Sequence, residues 1–499
     1  MSRPGHADRS GDPGLAQFFT PGPVARFTWE VAGALARRTG PLDRVLDPAA
    51  GAGVFLQLAQ ADGLAPIGIE VDPGLAERTA VSSGARVLCG DALRQRFPEA
   101  PEGSFDLVIG NPPFGRLGTF PGFDAADPAW EVFEVLEAGG QRGRVHQRRR
   151  GFPIDQLFLE RALALVRPGG VIAFVMPEGF LANDRHQPVR DWTADRAAVL
   201  GSVCLPPGAF TWPGLNARVA VIFLRRRDSR EPRRAVLVRP PLDRRPPLDA
   251  YLQDAALAVL GRSGAATPTA LIFRLAPRRL AGHRWDAGFW LGRRAARSST
   301  GGRPWARLGD YIEHLTYGPI VTGTRAVHQE GGVRVIRQGD FGETGLRGGP
   351  VLRVAPGGPF DPERSRVRSR DLLLPRSGAG ALGKNRVAVY LDLEPANVGC
   401  FVDLVRLREL NPFFLWLFLR AGPGWQQVQQ VINGVGTPNL SFAEIRSLRV
   451  PLLSPEEQGT FELRYLDEVL PWHRRGEETE AIRRFRTVVA DLERRLIAT

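Results

Sequence analysis

Asn111-Pro112-Pro113-Phe114 is the tetrapeptide of this 499-residue chain with the clearest chemical potential. Two prolines after an asparagine fix the backbone and remove its N–H donors, leaving carbonyl oxygens held in set directions. The side-chain oxygen of Asn111 and the carbonyl of Pro112 together make a pocket rich in acceptors. An amine conjugated to a ring is a poor nucleophile because its lone pair is delocalised. Accepting both of its hydrogens would localise that pair toward an electrophile, and Phe114 offers a flat face on which the ring can stack. No base has to act first, since the amine stays neutral until it attacks and then sheds an acidic proton. Positioning and electrostatics therefore carry the rate. A proline-stiffened turn without chemistry is the plain alternative. Against it stands the place of the tetrapeptide, directly after the apolar run Phe105-Asp106-Leu107-Val108-Ile109-Gly110.

A second set of residues lies upstream. Val45-Leu46-Asp47 is an apolar run ending in an acid, followed by the small-residue turn Pro48-Ala49-Ala50-Gly51-Ala52-Gly53 and a helical stretch from Val54 to Gln60. Ala49, Gly51 and Gly53 let a backbone come close to a ligand at the carboxyl end of a strand. Glu70 closes the next run, Ile67 to Val71, near the spacing at which an acid meets ribose hydroxyls. Asp91 follows the third, Arg86-Val87-Leu88, as an acceptor suited to an adenine amine. Three acids, one strand apart, fit a nucleoside cofactor, although each alone could cap the helix after its strand. No Gly-x-x-x-x-Gly-Lys-Ser/Thr is present, which argues against an NTPase, and Leu56 stands where a dinucleotide fingerprint would have its third glycine.

Residues at three or four strand ends can meet only if one sheet carries them. Seven apolar runs alternate with amphipathic stretches between about residue 40 and 225, which predicts an α/β, seven-stranded, doubly wound Rossmann-like domain. Besides the four runs above, its strands are Gly170 to Val175, Val199 to Leu205 and Arg218 to Leu224, and Leu157, Phe158, Ala162 and Leu165 mark a helix between the fourth and fifth. Residues 1–14 read as a loose arm, 15–230 as the cofactor-binding domain, and the Arg- and Pro-dense stretch 231–284 as a linker. Short β-like runs and Gly-rich turns over 285–455 predict a second, α+β domain, and 456–499 a helical segment. On its last helix Ile482, Phe485, Val489, Leu492 and Leu496 form a heptad-like stripe, equally suited to packing on its own domain or to a homodimer contact.

The chain carries a formal net charge of +13, and Lys384 is its only lysine. A polyanionic partner explains the size of that excess better than a genome that favours arginine, which explains only the choice of cation. Cys89, Cys204 and Cys400 lie far apart with no C-x-x-C pair, which suits a reducing cytoplasm and argues against a zinc site, so no metal is expected. The longest apolar run, Phe413 to Leu419, is too short to cross a bilayer.

With these residues in view, the chain resembles the N6-adenine DNA methyltransferases whose recognition region follows the catalytic domain. Asn111 to Phe114 matches the catalytic tetrapeptide of that family, and Ala50-Gly51-Ala52-Gly53 stands where Cys-Gly-x-Gly is common. The resemblance implies S-adenosyl-L-methionine as cofactor. Thr20 and Pro21 would close over its methionine end, and Asp47 to Gly53, Glu70 and Asp91 would contact methionine, ribose and adenine. Phe210 would be a second aromatic packed on a flipped adenine. Relatives with the same tetrapeptide that modify protein glutamine or RNA are usually compact. Here Arg284-Trp285-Asp286-Ala287, Arg370 to Gly378, Gly436 to Ser441 and Pro451 to Gln458 resemble a target-recognition unit of type I restriction specificity subunits, which implies double-stranded DNA. Arg148, Arg149, Arg376 and Lys384 are the residues expected at its phosphates, with Arg386 beside them. No nuclease motif is apparent, so a nuclease partner would be separately encoded.

Overall fold

The computed structural model describes residues 19–120, 122–138, 150–210, 218–230, 232–241, 246–262, 269–291, 304–320, 331–348, 351–378, 380–432 and 439–497. The expected arm at residues 1–14 lies outside them. Two compact units divide between Ala287 and Gly288.

Unit 1 is built on one mixed sheet. Its strands are β1 (Val45–Asp47), β2 (Ile67–Glu70), β3 (Arg86–Cys89), β4 (Phe105–Gly110), β5 (Val166–Pro177), β6 (Ala197–Cys204), β7 (Val219–Arg226), β8 (Ala235–Arg239) and β9 (Leu271–Leu275). They lie in the order β3-β2-β1-β4-β5-β7-β6-β8-β9. β1 to β5 run parallel, and β7 is inserted antiparallel between β5 and β6. The winding reverses between β1 and β4, and ligands of such sheets bind in the crevice outside the carboxyl ends at that point. β4 and most of β5 are buried and apolar, as strands covered on both faces must be.

The seven expected strands are present, but the sheet has nine. The stretch 231–284, expected as a linker, supplies the other two. Ala235-Val236-Leu237-Val238 is a buried apolar run hidden among arginines and prolines, and it pairs in parallel with β6. The helix Leu248–Leu260 buries Tyr251, Leu252, Ala255, Ala258 and Val259 against the helix Gly22–Ala36. Tyr251 gives its hydroxyl to the carbonyl of Cys204 at 2.5 Å, and Asp254 accepts from the Thr269 N–H and hydroxyl at 2.6 Å. Arginines and prolines are dense in this stretch, but its apolar residues decide its fold.

Arg284-Trp285-Asp286-Ala287, expected to open the second domain, also belongs to unit 1. Trp285 is fully buried, donates its N–H to Leu181 O at 2.9 Å, and meets Phe180 edge-on at 5.7 Å. Ser202 donates to its carbonyl, and Arg284 pairs with Asp286 at 2.7 Å.

Unit 2 holds two four-stranded sheets. One is ordered β11 (Ile312–Tyr317), β18 (Val402–Leu407), β15 (Leu372–Pro375) and β16 (Ala388–Val389). The other is ordered β13 (Leu352–Val354), β12 (Val333–Ile336), β17 (Ala396–Val398) and β14 (Arg366–Val367), with β10 (Trp305–Arg307) and β19 (Arg449–Pro451) forming a separate pair. The helix Pro412–Arg420 is buried along nearly its whole length. Against it lies the terminal helix Glu478–Ile497, whose Phe485, Val488, Leu492 and Leu496 are buried in the same core, with Phe485 at 5.3 Å from Trp416. Of the expected stripe, Phe485, Leu492 and Leu496 pack within unit 2, the first of its two readings, and residues 456–499 belong to that unit.

Candidate active site

β1 ends in Asp47, 1% exposed, whose Oδ1 accepts the Ala49 N–H at 3.0 Å. The chain then turns through Gly51 (φ 51°) and Gly53 (φ 76°) into the helix Val54–Ala61. Both turns need the left-handed conformation that glycine adopts without strain. Gly53 is constrained further, since a Cβ there would come within 2.7 Å of Thr79 Cγ2. Thr79 in turn donates its hydroxyl to Gly51 O at 2.6 Å. Glu70, at the end of β2, spans the turn: Oε2 accepts from Gly51 N at 2.9 Å and Oε1 from Asp72 N at 3.0 Å. Each carboxylate oxygen has a second lone pair to offer a ligand.

Burial pushes the carboxyl of Asp47 up to about 7, with a further upward push from the charge of Glu70 and a downward pull from the Ala49 N–H. Burial also raises Glu70, partly offset by its backbone donors. Acids with raised pKa values at strand ends mark a candidate functional site.

β4 brings the tetrapeptide to the same place. Its last residue is Gly110, where a Cβ would stand 2.8 Å from Asp47 Oδ1, so only glycine lets β4 end this close to the acid. Asn111 follows at once with its amide oxygen shielded from solvent. One cleft is lined by Phe19, Thr20, Asp47, Ala49, Gly51, Glu70, Asp91, Asn111 and Pro113. Asp91 accepts from Leu93 N at 2.9 Å, which fixes the loop after β3.

Among the expected site residues, Pro21, Gly53, Pro112, Phe114 and Phe210 do not line the cleft. Pro21 precedes the helix Gly22–Ala36 and accepts from Ala25 N, Gly53 begins the helix after the turn, and Pro112 is buried under the loop. Phe114 packs, half-buried, on a core cluster that includes Phe210. Phe210 itself is only 7% exposed and lies outside the cleft. It is a core residue in this structure rather than a face open to a base. Arg148 and Arg149 lie outside the described residues.

The two cations expected in unit 2 differ. Arg376 gives Nη1 to Asp403 at 3.1 Å and lies 4.1 Å from the ring of Tyr317 and 5.1 Å from that of Phe442. It is held by the fold, next to a carboxyl that burial raises to about 7 against its pull. Lys384 is exposed in the turn Leu382–Lys384.

What the sequence pattern missed is the far wall of the cleft. Leu117, Phe120, Phe123 and Trp130, from the segment after the tetrapeptide, face it together with Phe158. Trp130 is 4% exposed, donates Nε1 to Asp124 O at 2.8 Å and lies 5.9 Å from Phe123. Arg94 pairs with Asp127 and sits 6.0 Å over Trp130, which ties this segment to the loop bearing Asp91. The aromatics there follow no helical or strand period; their number between Gly115 and Phe133 was the one signal available. Among the described residues no group of His, Cys, Asp and Glu could hold a metal, and no helix is long and apolar enough to cross a membrane.

The arrangement is a cleft lined by Asp47, Glu70, Asp91 and Asn111 at the carboxyl ends of a doubly wound sheet. Residues 89–199 match the family model of the Eco57I restriction-modification methylase, a span that contains Asp91, Asn111 to Phe114 and the far wall. Type II methyltransferase M.TthHB8I of Thermus thermophilus is 29% identical over 155 residues, which is 30% of this chain and 33% of that protein. Defense against restriction protein B of Escherichia phage P1 is 24% identical over 219 residues, covering 42% of this chain and 8% of that one. The chain thus spans no more than about a third of either relative's length. Among solved structures, the type IIG restriction endonuclease BpuSI is similar at 13% identity and a TM-score of 0.46, covering 95% of this chain and 65% of its own.

Proposed function

We propose that this protein is an S-adenosylmethionine-dependent DNA methyltransferase that modifies the N6 amine of adenine within a chosen duplex sequence. The observation that carries the reading is the meeting of Asp47, Glu70, Asp91 and Asn111 in one cleft, made possible by Gly110. The cleft fits the cofactor in kind: acids at the strand ends, a turn through Gly51 held at positive φ, and an aromatic wall for a purine. Asp47 and the turn to Gly53 would hold the amino-acid end, Glu70 the ribose hydroxyls, and Asp91 the adenine amine.

When bound, the cofactor supplies a methyl group on a cationic sulfur. The chain's own part is to orient the target. Asn111 Oδ1 and the Pro112 carbonyl would accept the two hydrogens of the amine after a shift of the loop that opens these buried groups to the cleft, directing the lone pair toward the methyl group and holding the proton that leaves after attack. Phe114 stacks on the base, which must first leave the duplex to reach the loop. Phe210 would join it only after a shift out of the core cluster it occupies. The Eco57I methylase match supports a role in restriction and modification.

Radiolabelled S-adenosylmethionine offered with duplex DNA, RNA and a release factor, followed by digestion, tests the proposal. N6-methyladenine in DNA is expected. Label in N4-methylcytosine, RNA or protein would overturn it.

A further inference from the structure

Unit 2 contains a side-chain cluster with more positive charge than its surroundings balance. Glu343 lies in the turn between Phe341 and Leu346, after β12. Three guanidinium groups from three separate parts of the chain converge on it. Arg386 approaches Oε2 at 3.2 Å, Arg486 of the terminal helix approaches Oε1 at 2.9 Å, and Arg420 approaches Oε1 at 4.0 Å while donating to the Glu343 carbonyl at 3.0 Å. Only one of the four side chains is open: Arg486 is 71% exposed, against 18% for Glu343 and Arg386 and 11% for Arg420.

One carboxylate balances one guanidinium. Arg420 ends the helix Pro412–Arg420, and a helix carboxyl end offsets roughly half a charge more. Between the two shielded guanidiniums and these groups an excess of about half a positive charge remains, to which the solvated Arg486 adds one more. Desolvated charge without a counter-charge is costly. Burial, with the repulsion of Arg386 and Arg486, brings Arg420 down to about 10 despite Glu343. Such an arrangement is stable where an anion completes it. Guanidinium forks match the oxygens of a phosphate, and Lys384, exposed two residues before Arg386, extends the positive surface.

We propose that Arg386, Arg420 and Arg486 form a phosphate site in which Glu343 holds the three guanidiniums in place until a phosphodiester of duplex DNA displaces part of its hold. The occupant rests on the methyltransferase reading above; the charge imbalance does not. Arg386 and Lys384 alone would be ordinary surface contacts. Arg420 and Arg486 make the site, and they tie the terminal helix to DNA binding.

Two single substitutions in the full chain test it by opposite signs. A mixed-sequence duplex is titrated by fluorescence anisotropy between about 50 and 200 mM salt. Arg486→Gln is expected to weaken binding about three- to tenfold and to lower the slope of log K against log salt by about one. Glu343→Gln removes the competing carboxylate and is expected to tighten binding by a similar factor; a merely structural Glu343 predicts the reverse. Weaker binding by Glu343→Gln in a folded protein, or an unchanged slope for Arg486→Gln, would overturn the site. Should Glu343→Gln not fold, the slope of the well-exposed Arg486→Gln decides. Stabilisation by inorganic phosphate that Arg486→Gln abolishes, with an unchanged duplex slope, would overturn duplex DNA as the occupant. A wild type that neither binds duplex nor methylates it would instead overturn the functional reading, whatever the variants do.

Discussion

At the residue scale, Asp47 sets a pH dependence whose sign can be worked out. Its carboxyl is held at about 7 in the free protein, against an ordinary value of 3.8. Folding therefore favours the protonated form, and that contribution to stability is complete below 3.8 and lost as pH rises through about 7. A cofactor bearing an ammonium at its amino-acid end favours the opposite form. Affinity for S-adenosylhomocysteine should rise about tenfold from pH 6 to pH 8, with a proton released on binding, as calorimetry in two buffers would read. Asp47→Asn should flatten the profile at its weak end. Asn111→Ala belongs to the other half of the site. Label transfer should fall by at least about a hundredfold, while the affinity for S-adenosylhomocysteine stays within a few-fold. Equal loss of both would make Asn111 a structural residue.

Element by element, the site was legible wherever a strand delivers it. The acids at the ends of β1 and β2, Asp91 just after β3, and the tetrapeptide after β4 could be placed because strand ends are local signals: an apolar run, then a polar residue or a breaker. Gly110 went unnoticed because its reason is long-range, a contact with Asp47 across neighbouring strands. Gly110→Ala should impair cofactor binding as much as Asp47→Asn does, and cost about 1 to 3 kcal/mol in stability as an overpacked core site. A denaturation curve together with calorimetry would show both. Phe210 failed for the converse reason: its position before β7 suggested a role, whereas its burial depends on packing that no spacing reveals. The aromatic wall belongs to neither class. Its anchor, the Arg94–Asp127 pair, joins two loops 33 residues apart. Asp127→Asn should weaken S-adenosylhomocysteine binding about two- to fivefold without altering the pH profile, because a single exposed pair contributes modestly. An unchanged affinity would mean that Trp130 and Phe123 hold the wall unaided.

For the whole molecule the decisive boundary is the one between Ala287 and Gly288. Composition suggested a cut some fifty residues earlier, since arginine and proline mark linkers more often than strands. Trp285 explains the displacement: with its indole fully buried against Phe180, the segment resembling the start of a recognition unit completes unit 1 instead. Specificity should therefore travel with residues 288–499 as one piece, terminal helix included, because Phe485, Val488 and Leu492 fill the core that also holds the helix Pro412–Arg420. A chimera joined after Ala287 should fold and methylate the donor's sequence, read by sequencing methylated plasmid. A chimera joined at residue 230 would set the donor's counterparts of β8, β9 and the helix Leu248–Leu260 against this chain's β6 and helix Gly22–Ala36, so it should melt well below the chimera joined after Ala287. A chimera restricted to 288–455 would leave Trp416 and Tyr465 from different parents and should melt well below either of them. If the first chimera kept the original sequence preference, target choice would lie in unit 1, and the aromatic segment after Phe114 would be the place to look for it.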